Sequence, residues 1–116
     1  MHRTLFALTV LVFFGTISLA GDWNGWRGPH GDGTSDEKGV PLTWSATENV
    51  KWKVPLDGPG NSTPIVVGER VFIAHAPAKS KLRTLQCYNR DSGSLLWKRE
   101  VEYGDAEATH GTNPYC

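Results

Sequence analysis

Apolar and polar residues are distributed very unevenly along the chain. An almost unbroken apolar run covers residues 5–14, a Gly-, Pro-, Asp-, Ser- and Thr-rich stretch without any sustained period covers 21–48, and short alternating runs follow from residue 49. Val50, Trp52 and Val54 alternate with Lys51 and Lys53, the period-two pattern of a half-buried strand. Residues 62–67, 70–75, 82–89 and 94–101 read as four further strands. Each is separated from the next by turn chemistry such as Gly68-Glu69 or Asp91-Ser92-Gly93. Pro64 sits near the start of its run, where a missing N–H is tolerated. No segment beyond the first twenty residues carries a convincing amphipathic helix. The pattern predicts an all-β chain of antiparallel meanders.

The first twenty residues read as an address and not as structure. Arg3 supplies the one charge, the apolar core follows, and Ser18-Leu19-Ala20 places small residues where signal peptidase reads them. The core is shorter than the roughly 20 residues of a spanning helix, so cleavage after Ala20 is expected and a membrane anchor is not. There is no Arg-Arg pair, and no Cys follows Ala20 to accept lipid. The expected mature chain starts at Gly21 and is periplasmic or secreted, unlipidated, with no stable membrane span.

Composition narrows the function classes. The 116 residues carry 12 Lys+Arg against 12 Asp+Glu, which excludes a polybasic nucleic-acid binder and an acidic tail. Five Trp and three Tyr argue against disorder. The two cysteines, Cys87 and Cys116, could pair in an oxidising compartment, although a buried free Cys87 on a strand is the simpler reading. No C-x-x-C or H-E-x-x-H occurs, and His30, His75 and His110 have no partner at metal-ligand spacing. Asp32 to Glu37 lacks the alternating ligands of a calcium loop and reads as a solvated turn. The glycines at 25, 28, 31 and 33 are not followed by the Lys-Ser/Thr of a phosphate loop, and neither Ser35 nor Ser62 sits in a nucleophile elbow. Asn61-Ser62-Thr63 satisfies the glycosylation sequon at a strand start that disfavours its use. No catalytic residue and no metal ligand is assigned.

The most specific stretch is Cys87-Tyr88-Asn89-Arg90-Asp91-Ser92-Gly93-Ser94-Leu95-Leu96-Trp97. Gly93 can take φ > 0 at a strand connection, Asn89 and Ser92 can hydrogen-bond the turn backbone, and Trp97 can anchor a neighbouring sheet. This stretch resembles the tryptophan-docking motif of pyrroloquinoline-quinone-like β-propeller repeats, A-x-D-x-x-T-G-x-x-x-W. Cys87, Asn89, Ser92, Gly93 and Trp97 stand at the five defined positions, three of them as close substitutes. Gly60 to Phe72 resembles the first two blade strands of that family, and Asp22-Trp23-x-x-Trp26-Arg27-Gly28-Pro29 resembles the opening of its exported members. Trp44-Ser45-Ala46-Thr47-Glu48-Asn49-Val50-Lys51-Trp52-Lys53 is similar to the segment that follows that opening.

The resemblance implies a seven- or eight-bladed propeller of four-stranded antiparallel sheets. Residues 1–20 would be the signal, 21–48 a loop-rich segment, and 49–116 a partial propeller. Within that part, 49–54 would be the closing strand lent to the last blade, 62–101 the first blade and 109–116 the start of the next. His110 and Asn113, on a connector that would enter the funnel, are the candidates for a ligand-facing surface. About four blades is the smallest closed ring, so this chain is expected to be the N-terminal part of a longer protein.

Three functional readings follow. The first is an exported scaffold whose propeller surface binds a protein or polymer. Such a scaffold resembles the propeller of the outer-membrane assembly machinery, which, unlike this chain, is a lipoprotein. The second is the beginning of a quinoprotein dehydrogenase oxidising alcohols or sugars with pyrroloquinoline quinone and calcium held on later blades. The third is a short secreted β-protein complete at Cys116, which would aggregate or dimerise through its open edge. Intact mass of the protein from its own cells separates them. A mass several times that of residues 21–116 is expected, and a mass equal to it establishes the third reading.

Overall fold

A computed structural model describes residues 21–58, 60–76 and 81–104. Residues 1–20, read as a signal, the 109–116 segment, His110, Asn113 and Cys116 lie outside the described residues. Four strands run in chain order: β1 (Ile65–Val67), β2 (Arg70–His75), β3 (Leu82–Asn89) and β4 (Leu95–Glu102). They form one antiparallel sheet in the order β1-β2-β3-β4. Among the described residues there is no helix, and none that is long and apolar enough to cross a membrane. The chain is all-β, and a single blade-like sheet fits its topology.

β2 and β3 occupy the expected residues, and β4 is displaced by one. β1 begins three residues later than its apolar pattern predicts. Pro64 has no N–H to offer a ladder, and the backbone N of Ala74 on β2 donates instead to Ser62 Oγ at 3.0 Å. Residues 49–54 carry the alternation of a strand but pair with no strand among the described residues. Alternation records which side chains are covered, whereas a strand also requires a neighbour for its backbone groups.

Register divides the side chains between two faces. Ile65, Phe72, Cys87 and Trp97 are partners across the sheet and share one face with Ala74 and Leu85. His75, Thr84 and Glu100 are partners on the other, with Gln86 and Lys98 one step along. A register shift between Cys87 and Tyr88 pairs Tyr88 with Leu95 and passes over Leu96. This bulge is what lets Trp97 lie beside Phe72, at 5.9 Å between ring centroids and tilted by 54°.

The outer edge of β1 is covered by Trp23, whose backbone N and O exchange hydrogen bonds with Val66 at 2.8 and 2.9 Å. The fully buried set is small and mixed: Ala76, Cys87 and Tyr88 beside His75, Thr84 and Gln86. Trp26, Leu42, Trp44, Leu95, Leu96 and Val101 are exposed. Among the described residues no second sheet or helix covers the apolar face, and a layer pair is the usual minimum for a core.

Cys87 is free and completely enclosed at the centre of the apolar face. Its thiol is expected to resist alkylation in the folded protein and to react within minutes once denaturant is added. Thiol labelling followed by mass spectrometry checks this, and prompt labelling without denaturant would show the face to be open.

Candidate docking site

Residues 87–97 span the end of β3, the β3–β4 turn and the start of β4, and their hydrogen bonds explain why these residue types occur together. Asn89 Oδ1 accepts three bonds, from the backbone N of Asp91 and of Ser92 at 2.9 Å each and from Ser92 Oγ at 3.0 Å. The backbone closes the turn beneath it, with Asn89 N donating to Ser94 O at 2.8 Å and Gly93 N to Asn89 O at 2.9 Å. Ser92 Oγ also lies 2.8 Å from Ser94 Oγ. Gly93 has φ of 70°, the left-handed region open to glycine at little cost. Asn89 and Ser92 thus fix a turn that glycine completes.

A tryptophan is seated on this turn, and it is Trp52, not Trp97. Its indole Nε1 donates to Arg90 O at 2.8 Å. A Cβ on Gly93 would meet the Trp52 ring at 2.6 Å from Cδ2, so the ring lies flat against the glycine backbone. Lys51, the preceding residue, pairs with Asp91 at 2.5 Å. The hydrogen bond from Lys51, together with its charge, holds the Asp91 carboxyl below its ordinary range. The pair therefore favours the folded chain above the usual carboxylate range, and this contribution is lost as pH falls through the lowered value. Both groups are largely exposed, so salt screens the pair.

Arg90 links this turn to the rest of the sheet. Its backbone N donates to Glu69 O at 2.9 Å and its Nη1 to Gly68 O at 3.3 Å, tying the β3–β4 turn to the β1–β2 turn. From Trp52 the chain crosses the polar face of the sheet. Asp57 lies 3.7 Å from Lys98, and a Cβ on Gly60 would stand 3.1 Å from His75 Cα and Ala74 O. The Lys98 ammonium is held above its ordinary range by its hydrogen bond to Glu100, with Asp57 adding to the effect. Tyr88 Oη donates to Gln86 Oε1 at 2.6 Å, and burial raises its phenol. His75, left by its sequence context as a lone residue, is enclosed at the end of β2, and neither ring nitrogen has a hydrogen-bond partner among the described residues.

Trp97 holds a different position from Trp52. It is half-buried on the apolar face beside Phe72, with the Arg99 guanidinium 6.0 Å from its ring. The motif therefore presents two features on one sheet: a seat on Gly93, filled by Trp52, and a second tryptophan on the opposite face.

The remaining candidates fall out differently. Asp32 Oδ1 accepts from Thr34 N at 2.9 Å and Thr34 Oγ1 at 2.7 Å, and these bonds lower its carboxyl from the ordinary value. That is the solvated turn expected of residues 32–37. Among the described residues no three His, Cys, Asp or Glu side chains come together to hold a metal ion, so no calcium ligand is placed. A cleft of about 500 Å³ lies among residues 21–38, lined by Asp22, His30, Asp36, Glu37 and Lys38 among others.

Comparison with protein-family models, with curated proteins and with solved structures finds no match to this chain.

Sequence reasoning gave Trp97 the anchoring role and offered Trp52 as a strand residue. The signals that could have located the seat of Trp52 are Lys51 opposite Asp91 in charge and the requirement of Gly93 for a flat neighbour. Replacing Gly93 with Ala should destabilise the fold by about 1–3 kcal/mol through the positive φ and the collision with Trp52. The loss should shrink in a Trp52→Ala background, where the colliding ring is gone. A double-mutant cycle by denaturant unfolding checks this, and additive losses would separate Trp52 from the Gly93 seat.

Proposed function

We propose that this sheet is the first blade of an exported pyrroloquinoline-quinone-like repeat propeller that acts as a binding or assembly scaffold. The observation that carries the reading is the seat of Trp52 on the Gly93 turn. A tryptophan from a segment outside the sheet is stacked on the motif's glycine and hydrogen-bonded to Arg90 O, while the motif's own Trp97 stands half-buried beside Phe72. Such an arrangement can repeat: each sheet offers a seat to one tryptophan and sends its own toward the next sheet. Residues 49–54 would then be a strand of the last blade, supplied by the N-terminus and without a ladder partner until that blade is present.

A neighbouring sheet would also supply the missing layer over Phe72, Leu85, Trp97 and Val101. The chemistry on the described residues is that of packing and turn formation, which supports a scaffold over a catalyst. Its partner would be a protein or polymer bound on the outer surface of the ring.

Hydrogen exchange measured on the protein from its own cells tests the blade. Peptides covering β4 should be protected there and exchange freely in a chain comprising residues 21–116 alone; equal exchange overturns the blade reading. The same native preparation, loaded with pyrroloquinoline quinone and calcium, should leave alcohols and sugars unoxidised. Quinone-dependent turnover would replace the scaffold with a dehydrogenase.

A further inference from the structure

Gly21, the residue at which the expected signal cleavage would create a new N-terminus, is already held by a carboxylate. Its backbone N donates to Glu37 Oε1 at 2.5 Å, sixteen residues further on. Its carbonyl accepts from Arg90 Nη2 at 3.2 Å. The next two residues are fixed as well: Asp22 Oδ1 accepts from Gly68 N at 2.8 Å, and Trp23 pairs with Val66 on the β1 edge. The start of the expected mature chain is thus laid along the sheet with a side-chain acceptor aimed at its first nitrogen.

We propose that removal of the signal turns the Gly21 nitrogen into an α-ammonium that forms an ion pair with Glu37, a latch that fastens the N-terminal segment over the edge of β1. The proposal rests on reading residues 1–20 as a cleaved signal. The step is hydrolysis by the host's export peptidase: water adds across the Ala20–Gly21 peptide bond, leaving a carboxylate on Ala20 and an amine on Gly21 that is protonated at neutral pH. A neutral amide donor becomes a charged one, so the bond to the Glu37 carboxylate gains a direct charge–charge attraction.

The surroundings favour a cation. Asp22, Asp36 and Glu37 line the adjoining cleft against Lys38 and His30, and His30 is engaged with Asp36 at 3.1 Å. Asp22 is occupied by the Gly68 amide and Arg90 lies on the carbonyl side of Gly21, which leaves Glu37 as the carboxylate directed at the new charge. Gly21 and Glu37 are both exposed, so the pair is open to salt. Its consequence is structural. The segment it pins supplies the Trp23 pairing that keeps β1 from presenting an open edge.

The complete chain, produced with its own leader in an exporting bacterium, provides the test. N-terminal sequencing should find Gly21 first. Acetylation of that α-amine at neutral pH and low salt, followed by peptide mass spectrometry, should be about two- to fivefold faster in Glu37→Gln than in the unaltered protein. Glu37→Asp should fall between them, Glu48→Gln should match the unaltered protein, and molar salt should remove the differences. Protection of Cys87 from alkylation reports folding in the same samples. If Glu37→Gln exposes Cys87, the comparison of Glu37→Asp with the salt series decides. A different first residue overturns the signal reading and the latch with it. Gly21 first, with Glu37→Gln reacting at the unaltered rate, overturns the latch alone.

Discussion

The seat of Trp52 on the Gly93 turn is the interaction from which most of this structure follows. It requires Gly93 twice over: for a φ of 70° and for the flat approach of an indole that any Cβ would block. It requires a rigid turn, which Asn89 provides by collecting three donors on one oxygen. It also fixes where the segment after Trp52 begins its path across the polar face, toward the Asp57–Lys98 and Gly60–His75 contacts. Indole stacking, the Trp52–Arg90 hydrogen bond and the Lys51–Asp91 pair join this segment to the sheet.

The two faces of the sheet are served unequally, and this asymmetry separates a structural unit from a domain. On the polar face His75, Thr84, Gln86 and Tyr88 are buried, and Asp57 and Gly60 approach it at Lys98 and His75. The apolar face has Cys87 enclosed at its centre but Leu85 and Val101 exposed at its margin. Hydrophobic burial there is half complete. In the proposed propeller a neighbouring repeat would supply the second layer of that face.

Much of the fold was legible in the residues. β2 and β3 follow from apolar runs bounded by turn residues, and the Asn89, Ser92 and Gly93 turn follows from side chains that accept short-range bonds and a residue free to take positive φ. The start of β1 was less legible, because Ser62 replaces a backbone acceptor with a hydroxyl, a substitution that leaves the apolar pattern unchanged. Residues 49–54 carried the signal of a strand without the partner that makes one. The candidate site was legible as a turn and a set of tryptophans. Which ring occupies the turn was less so, since Trp52 and Gly93 are 41 positions apart and the one local signal, Lys51 opposite Asp91 in charge, acts only once the two segments meet.

Sequence by itself determined the all-β character, the turn chemistry and the absence of strong net charge, because alternation, glycine freedom and ionisable groups act over a few residues. Tertiary structure decided three things that depend on distant parts of the chain meeting. It set the bulge that turns Trp97 toward Phe72, the seating of Trp52 on Gly93, and the alignment of Gly21 with Glu37. Each is a contact between groups whose local sequence would be equally at home elsewhere, and only the folded path of the chain brings them within bonding distance.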